Sequence, residues 1–230
     1  MTGRRRSLMF TKNGERLPTW NPIFGCLYRC QYCWARDWAE KRHGRAFNPE
    51  FRPWKLRELK SIIHRNPGKE IFVCDYGEMW GPWVPDKWIK AVLNECRRYP
   101  KATFLFLTKN PARYYEFLDE LPENSILGAT LESNIDWGLT RAPSPYERYR
   151  AMRDLPWRNK MVSIEPVLDF NLETMVKWIR EIRPVFIYIG YDNHNKRLPE
   201  PLQAKTRKLV ERLGEFTEVR LKTIRKAWYE

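Results

Sequence analysis

Short apolar runs alternate with helical patterns along most of this 230-residue chain, and that alternation constrains the fold more than any other feature. Apolar runs bounded by turn residues occur at 71–74, 103–107, 125–130, 160–164, 185–189 and 218–222. Several are apolar throughout, the pattern of strands buried on both faces. A shorter candidate strand lies near Pro18–Trp20. Between the runs stand amphipathic stretches with start and stop signals. Asp86 is placed to cap a helix carrying Trp88, Ile89, Val92, Leu93 and Cys96 on one face. Asn110-Pro111 reads as a cap with proline at the first helical position. Ser144-Pro-Tyr-Glu147 reads as a capping box, and Asn171 as the cap of a helix with Met175, Trp178, Ile179 and Ile182 inward. The stretch 202–213 ends at Gly214, and 54–65 turns Leu56, Leu59 and Ile63 to one side.

Strand–helix alternation predicts an α/β chain with a mostly parallel sheet and right-handed crossovers, an open or partly closed barrel. No repeat or Gly/Ser linker divides it, so residues 1–230 read as one domain with a core over about 17–195, a basic N-terminal arm and a C-terminal extension. In such folds ligands bind where strands end at their C-termini. A composition of 43% hydrophobic and 14% aromatic residues excludes a disordered chain. No apolar run is long enough for a transmembrane helix. The basic segment Met1–Ser7 is not followed by a hydrophobic stretch, so the expected location is cytoplasmic. Five cysteines in such a chain point to metal binding or reactivity rather than a disulfide framework.

Three of those cysteines, Cys26, Cys30 and Cys33, stand in Cys-x3-Cys-x2-Cys spacing just after the first candidate strand. Three thiolates on one short loop suit a soft metal centre such as an iron–sulfur cluster. Three ligands on four irons leave one iron open to a substrate or cofactor. Cys74 ends a buried run and Cys96 sits on an apolar helix face, where free cysteine behaves as a small hydrophobe. The rival reading is a zinc knuckle completed by His43 or a carboxylate.

The cysteine spacing, with the aromatic Tyr32 before Cys33, resembles the signature of the radical S-adenosylmethionine (SAM) enzyme superfamily. Thr19-Trp-Asn-Pro22 leading to Gly25-Cys26, the stretch Phe106-Leu-Thr-Lys-Asn-Pro111 and Ser163-Ile-Glu-Pro166 extend the likeness over about residues 17–195. They resemble a phage- and prokaryote-associated radical SAM family of unassigned substrate. The resemblance implies a partial (β/α)6 barrel, a 4Fe–4S cluster held by Cys26, Cys30 and Cys33, and reductive cleavage of SAM. It also implies an electron donor such as a flavodoxin or ferredoxin. Carried over by position, Gly77 and Glu78 match the end of a Gly-Gly-Glu motif that holds the SAM amino group, with Tyr76 replacing the first glycine and Asp75 an alternative partner.

The remaining strand ends carry polar groups of their own. Thr108 and Lys109 follow one run, and a cation there can pair with the SAM carboxylate. Glu132 follows the next, suited to the ribose hydroxyls or the sulfonium end. Glu165 follows another, with Lys109 as its candidate partner against the cost of burial. Gly190 would let backbone lie against adenine. For the last two acids, simple ion pairing is the rival reading.

Charge adds a possible substrate class. The chain is +14 net, but residues 1–65 carry +10, 66–200 are balanced and 201–230 carry +4. Basic ends around a neutral middle predict a polyanionic partner, DNA or RNA, contacted by Arg4, Arg5, Arg6, Arg42, Arg45, Arg52, Arg225 and Lys226. Trp80 and Trp83, in a Gly/Pro loop, are candidates to stack a base. A peptide or small-molecule substrate, and a non-catalytic zinc or iron–sulfur nucleic-acid-binding module, are the alternatives.

Overall fold

A computed structural model of the chain describes Met9 and residues 14–230. Among the described residues nine strands form: β1 (Thr19–Trp20), β2 (Ile23–Phe24), β3 (Glu50–Phe51), β4 (Ile71–Val73), β5 (Phe104–Thr108), β6 (Ser125–Thr130), β7 (Lys160–Ile164), β8 (Phe186–Ile189) and β9 (Glu218–Leu221). Seven of them make one sheet in the order β1-β4-β5-β6-β7-β8-β9, every neighbour parallel. Strands adjacent in the sheet are thus consecutive along the chain once the β2–β3 pair is set aside. That pair is a separate antiparallel ribbon. The expected parallel α/β architecture forms. Residues 201–230, set apart by their charge, supply a helix and the edge strand of the same sheet.

The α-helices are α1 (Trp34–Asp37), α2 (Leu59–Arg65), α3 (Asp86–Arg97), α4 (Pro145–Asp154), α5 (Leu172–Ile182) and α6 (Gln203–Gly214). The apolar faces of α2–α6 pack on one side of the sheet in a core that includes Ile89, Leu93, Met152, Met175, Ile179 and Leu209, while α1 packs through Ala35 on Phe24 and Phe47. Phe72, Leu105, Ile126, Met161, Phe186 and Tyr188 form a second cluster with Met9 and Leu17. Alternate strand residues therefore divide between two apolar layers, as the period of two requires.

Two capping expectations hold in detail. Ser144 and Glu147 form a reciprocal capping box at α4, and Asn171 accepts from the Thr174 N–H at α5. Two others do not. Asp86 is the first helical residue of α3 rather than its cap, and its carboxylate instead accepts from Arg113 Nη2 at 2.5 Å. Asn110 makes no side-chain cap, and residues 111–120 form a 3-10 helix in which Tyr114 and Phe117 are buried. Its amide donates instead to the Trp80 carbonyl at 2.9 Å. A 3-10 turn over 53–58 precedes α2, so the buried face runs through Leu59 and Ile62 rather than Leu56 and Ile63.

Candidate active site

The three cysteines follow β2 on a loop that the rest of the fold fixes at several points. Gly25 N donates to Tyr76 O and Glu78 N donates to Gly25 O, both at 3.0 Å, so the chain entering the loop pairs with the segment after β4. Only glycines allow that approach. Gly25 has φ +84°, and a Cβ there would lie 2.0 Å from Asn48 O. A Cβ on Gly77 would lie 2.7 Å from Ile23 O. Gly77 thus seats the cysteine loop as well as lining the cavity described below.

Cys26 Sγ accepts from Tyr28 N at 3.4 Å, and Cys33 Sγ caps α1 by accepting from Arg36 N at 3.3 Å. Cys30 Sγ lies 3.1 Å from Thr140 Oγ1. Arg36 Nη2 donates to Cys26 O at 2.7 Å, tying the loop's first cysteine to α1. All three thiols are half-buried, whereas Cys74 and Cys96 are enclosed in the core. Burial pushes the Cys26 and Cys33 thiols up, so as free thiols they stay protonated until a metal takes the sulfur. Three half-exposed sulfurs on one loop fit the donor set of an iron–sulfur cluster with one iron left open. His43, the candidate fourth ligand for zinc, lies against the Trp38 ring, 4.2 Å between centroids. Among the described residues, no three Cys, His, Asp or Glu side chains gather as one metal ion would need.

Beside the loop opens a cavity of about 240 Å³ at the C-terminal ends of the strands. Cys30, Tyr32 and Cys33 line one wall. Asp75, Gly77 and Glu78 after β4, Thr108 and Lys109 at the end of β5, and Glu165 after β7 complete most of the predicted set. Parallel strands in sequential order bring these residues together, although they lie up to 135 positions apart. Cys26, Glu132 and Gly190 do not line this cavity.

Glu78 is buried, and protein donors occupy both its oxygens: Thr108 Oγ1 at 2.7 Å, Trp80 N at 3.1 Å and Lys109 N at 3.1 Å. Burial still raises its carboxyl pKa, because those donors carry no full charge. Asp75 differs. Its Oδ1 accepts from Asn21 Nδ2 at 2.6 Å, while its buried Oδ2 has no hydrogen-bond partner. Burial raises its carboxyl to about 6. Tyr76, in place of the first motif glycine, turns its ring against Trp34 and Trp38, at 4.7 and 5.0 Å.

The ion pairs differ from those expected. Lys109 pairs with Glu132, not Glu165. The sheet order explains this: β6 is the direct neighbour of β5, and β7 is one strand further. Glu132 also accepts from the Tyr32 hydroxyl and from Arg148 Nη1, the latter at 2.6 Å. Burial alone would raise the Glu132 pKa, but Arg148 and then Lys109 outweigh it and hold the carboxyl at about 2. Glu165 instead meets Lys222 Nζ at 2.6 Å and Ser163 Oγ at 3.0 Å. A Cβ on Gly190 would lie 2.9 Å from Lys222 Cβ, so that glycine makes room for the segment after β9.

Several lining residues escaped the sequence reading. Thr130 ends β6 and Lys222 follows β9, so a stricter use of the strand-end rule reaches them, whereas Ser163 lies one residue inside the end of β7. Trp34, on α1, also lines the cavity. Arg148 is a mid-helix arginine and carries no sequence signal.

Trp80 is a core residue, 1% exposed, packed on Phe106, Tyr114 and Phe117, and not a base-stacking platform. Trp83 packs edge-on against Tyr28 at 4.7 Å. Arg45 and Arg52 share Glu50 and lie over the Phe24 ring. Arg225 clasps Glu200 at 2.7 and 2.8 Å and donates to Asp192 O. Arg52 and Arg225 are engaged within the fold, whereas Arg45 is exposed and pairs at the surface. Arg42 and Lys226 are exposed, and Arg4, Arg5 and Arg6 lie outside the described residues. No described helix is long and apolar enough to cross a membrane.

Solved structures share this architecture. A radical SAM methyltransferase from Sphaerobacter thermophilus matches with a TM-score of 0.65 at 13% identity, covering 94% of this chain and 68% of the other. Streptococcus suis SuiB bound to precursor peptide SuiA matches at 0.64 and 12%, covering 89% and 49%. Spore photoproduct lyase with dinucleoside spore photoproduct matches at 0.59 and 12%, covering 92% of this chain and 65% of its own. This chain therefore spans about two thirds of the length of the lyase. At such identities the likeness establishes a radical SAM-type partial barrel. No curated protein matches the sequence. One family model matches residues 11–183, three quarters of the chain, and by that match the protein belongs to the family described as protein of unknown function DUF5131.

Proposed function

We propose that the protein is a radical SAM enzyme whose cluster is held by Cys26, Cys30 and Cys33. One observation carries the reading: the Cys-x3-Cys-x2-Cys loop forms a wall of the cavity at the strand ends, opposite ionisable groups from separate strands. A 4Fe–4S cluster held there by Cys26, Cys30 and Cys33 would supply the single electron for reductive cleavage of SAM. The protein's share is to bind, orient and exclude water. Asp75 Oδ2, buried without a partner, is the natural acceptor for the SAM ammonium group, with Glu78 beside it. Lys109 faces the same cavity as a donor for the SAM carboxylate. Glu165, with Ser163 and Lys222, forms a polar wall for the ribose or the substrate. The reductant is an electron carrier of the flavodoxin or ferredoxin class, and the site of action is the cytoplasm.

For substrate, a nucleic acid agrees with the +14 charge and with exposed Arg42 and Lys226. Spore photoproduct lyase, one of the fold relatives, is solved with a dinucleoside lesion. The internal pairing of Arg52 and Arg225 favours the second reading, a peptide or small molecule, and SuiB is solved with a precursor peptide. Anaerobic reconstitution with iron and sulfide, then SAM and dithionite, tests the class. The expected product is 5′-deoxyadenosine. A protein that loads one zinc instead, or that holds iron yet never cleaves SAM, refutes it.

A further inference from the structure

Glu132 stands at a strand end, yet the ligand cavity does not reach it. Its carboxylate is taken up by the protein itself. Oε1 accepts from both the Tyr32 hydroxyl and the Lys109 ammonium. Oε2 accepts from Arg148 Nη1 at 2.6 Å, and the same nitrogen donates to Thr130 O at 2.7 Å. Glu132 and Arg148 are each 2% exposed. Tyr32 and Lys109, by contrast, both line the cavity, and Lys109 Nζ sits 5.2 Å from the centre of the Tyr32 ring. Tyr32 lies between Cys30 and Cys33 on the cluster loop, and Lys109 directly follows β5.

We infer that Glu132 and Arg148 are positioning residues that act on the ligand through Tyr32 and Lys109, fixing the cluster loop and the β5 lysine in one register at the cavity wall. The inference rests on the reading of that cavity as a SAM site. Three features support it. A single carboxylate oxygen receives the two cavity-lining donors, so neither moves without disturbing the other. Arg148 is itself placed by the capped start of α4: its backbone N–H donates to Ser144 O at 3.1 Å, and Ser144 is the cap. Finally, a buried cation–carboxylate–cation set is a poor way to gain stability, since well-packed apolar residues of similar volume commonly do as well or better. Its place directly behind two ligand-facing side chains accounts for it better than stability does.

The test measures SAM affinity by equilibrium dialysis on the reconstituted protein with its cluster oxidised, so that no turnover occurs. Iron content and melting temperature are recorded for each variant. Arg148→Lys keeps the charge but shifts its donor off the Glu132 oxygen. It is expected to weaken SAM binding about tenfold at unchanged iron content, and Lys109→Met is expected to weaken it at least as much. If Arg148 acts through Tyr32 and Lys109, the two losses combine to less than their product: Arg148→Lys has a smaller effect in the Lys109→Met background than in the wild type. A purely structural Arg148 gives losses that multiply. If Arg148→Lys fails to fold, Tyr32→Phe replaces it in the same cycle, because it removes a bond to Oε1, the Glu132 oxygen that Lys109 also holds, and strands no charge. Wild-type affinity in the folded, iron-loaded single variant overturns the inference, and so do losses that multiply in the double variant. A wild-type protein that takes up no cluster or no SAM refutes the underlying reading instead.

Discussion

Glu132→Gln is the substitution that most directly tests the electrostatics of the site. The side chain keeps its shape, but buried Arg148 and half-buried Lys109 lose the charge that faces them. Its carboxyl is held at about 2, against an ordinary 4.5. That difference corresponds to about 3 kcal/mol of stability at neutral pH. Mutational experience with broken buried pairs gives about 3–5 kcal/mol. The two routes agree, so a loss near the lower end is expected. For a domain of this size each kcal/mol moves the melting point by about 2–4 °C, hence a drop of about 6–12 °C.

The pH dependence separates this electrostatic cause from mere misfit. A carboxylate with a depressed folded-state pKa stabilises fully above its unfolded value and loses that stabilisation as pH falls toward the folded value. The gap between wild type and Glu132→Gln is therefore full at pH 7 and has shrunk by about 2 kcal/mol at pH 3. Glu78 and Asp75 shift the other way, since burial raises both, and they favour the folded state as pH falls. They are common to both proteins and cancel in the difference. Urea unfolding of the metal-free chain at the two pH values supplies the measurement, free of cluster loss. A gap under about 1 kcal/mol at pH 7, or one that stays constant to pH 3, refutes the assignment of Glu132 as an ionised centre between two cations.

Three further outcomes are expected. Alanine at Cys26, Cys30 or Cys33 abolishes iron binding, while Cys74→Ala and Cys96→Ala retain it; visible absorbance and iron analysis decide, and an essential Cys74 or Cys96 sinks the three-ligand model. SAM affinity falls as pH drops through about 6, where Asp75 loses its charge, and Asp75→Asn shows weak, flat binding across that range; a wild-type profile that is flat from pH 5 to 8 removes Asp75 from the ammonium site. Log affinity for single-stranded nucleic acid falls linearly with log salt, with a slope of about −0.7 per phosphate contacted, and Arg42→Ala or Lys226→Ala flattens it. Micromolar or weaker binding to every DNA and RNA at physiological salt turns the substrate reading to a peptide or small molecule.

The strand pattern was legible because several β-runs are apolar on both faces and all are bounded by turn residues. Phe104, Leu105 and Phe106 are all buried, whichever layer they face, so a parallel strand announces itself by composition. Helix starts were legible where a side chain makes the cap, as at Ser144 and Asn171. They were misread where the capping residue type found another partner, as Asp86 did in Arg113 and Asn110 in the Trp80 carbonyl. A sequence shows the capacity of aspartate and asparagine to cap, but not the competing donor or acceptor that a neighbouring element brings up.

The site was legible to the same depth. Rules about strand ends found Asp75, Glu78, Lys109 and Glu165, since position along a strand fixes which end of the sheet a residue reaches. Pairing between strand ends depends instead on lateral order and on what the helices contribute. Lys109 was assigned to Glu165 because both stood at strand mouths, but sheet adjacency gives it to Glu132 and leaves Glu165 to Lys222, two strands away on β9's continuation. Arg148 could not be found from sequence, because nothing in an amphipathic helix marks one arginine as the residue that turns beneath the sheet edge. Yet this residue changes the role of Glu132. With Arg148 behind it and Tyr32 and Lys109 in front, a carboxylate expected to hold the ligand becomes one that holds the residues facing the ligand.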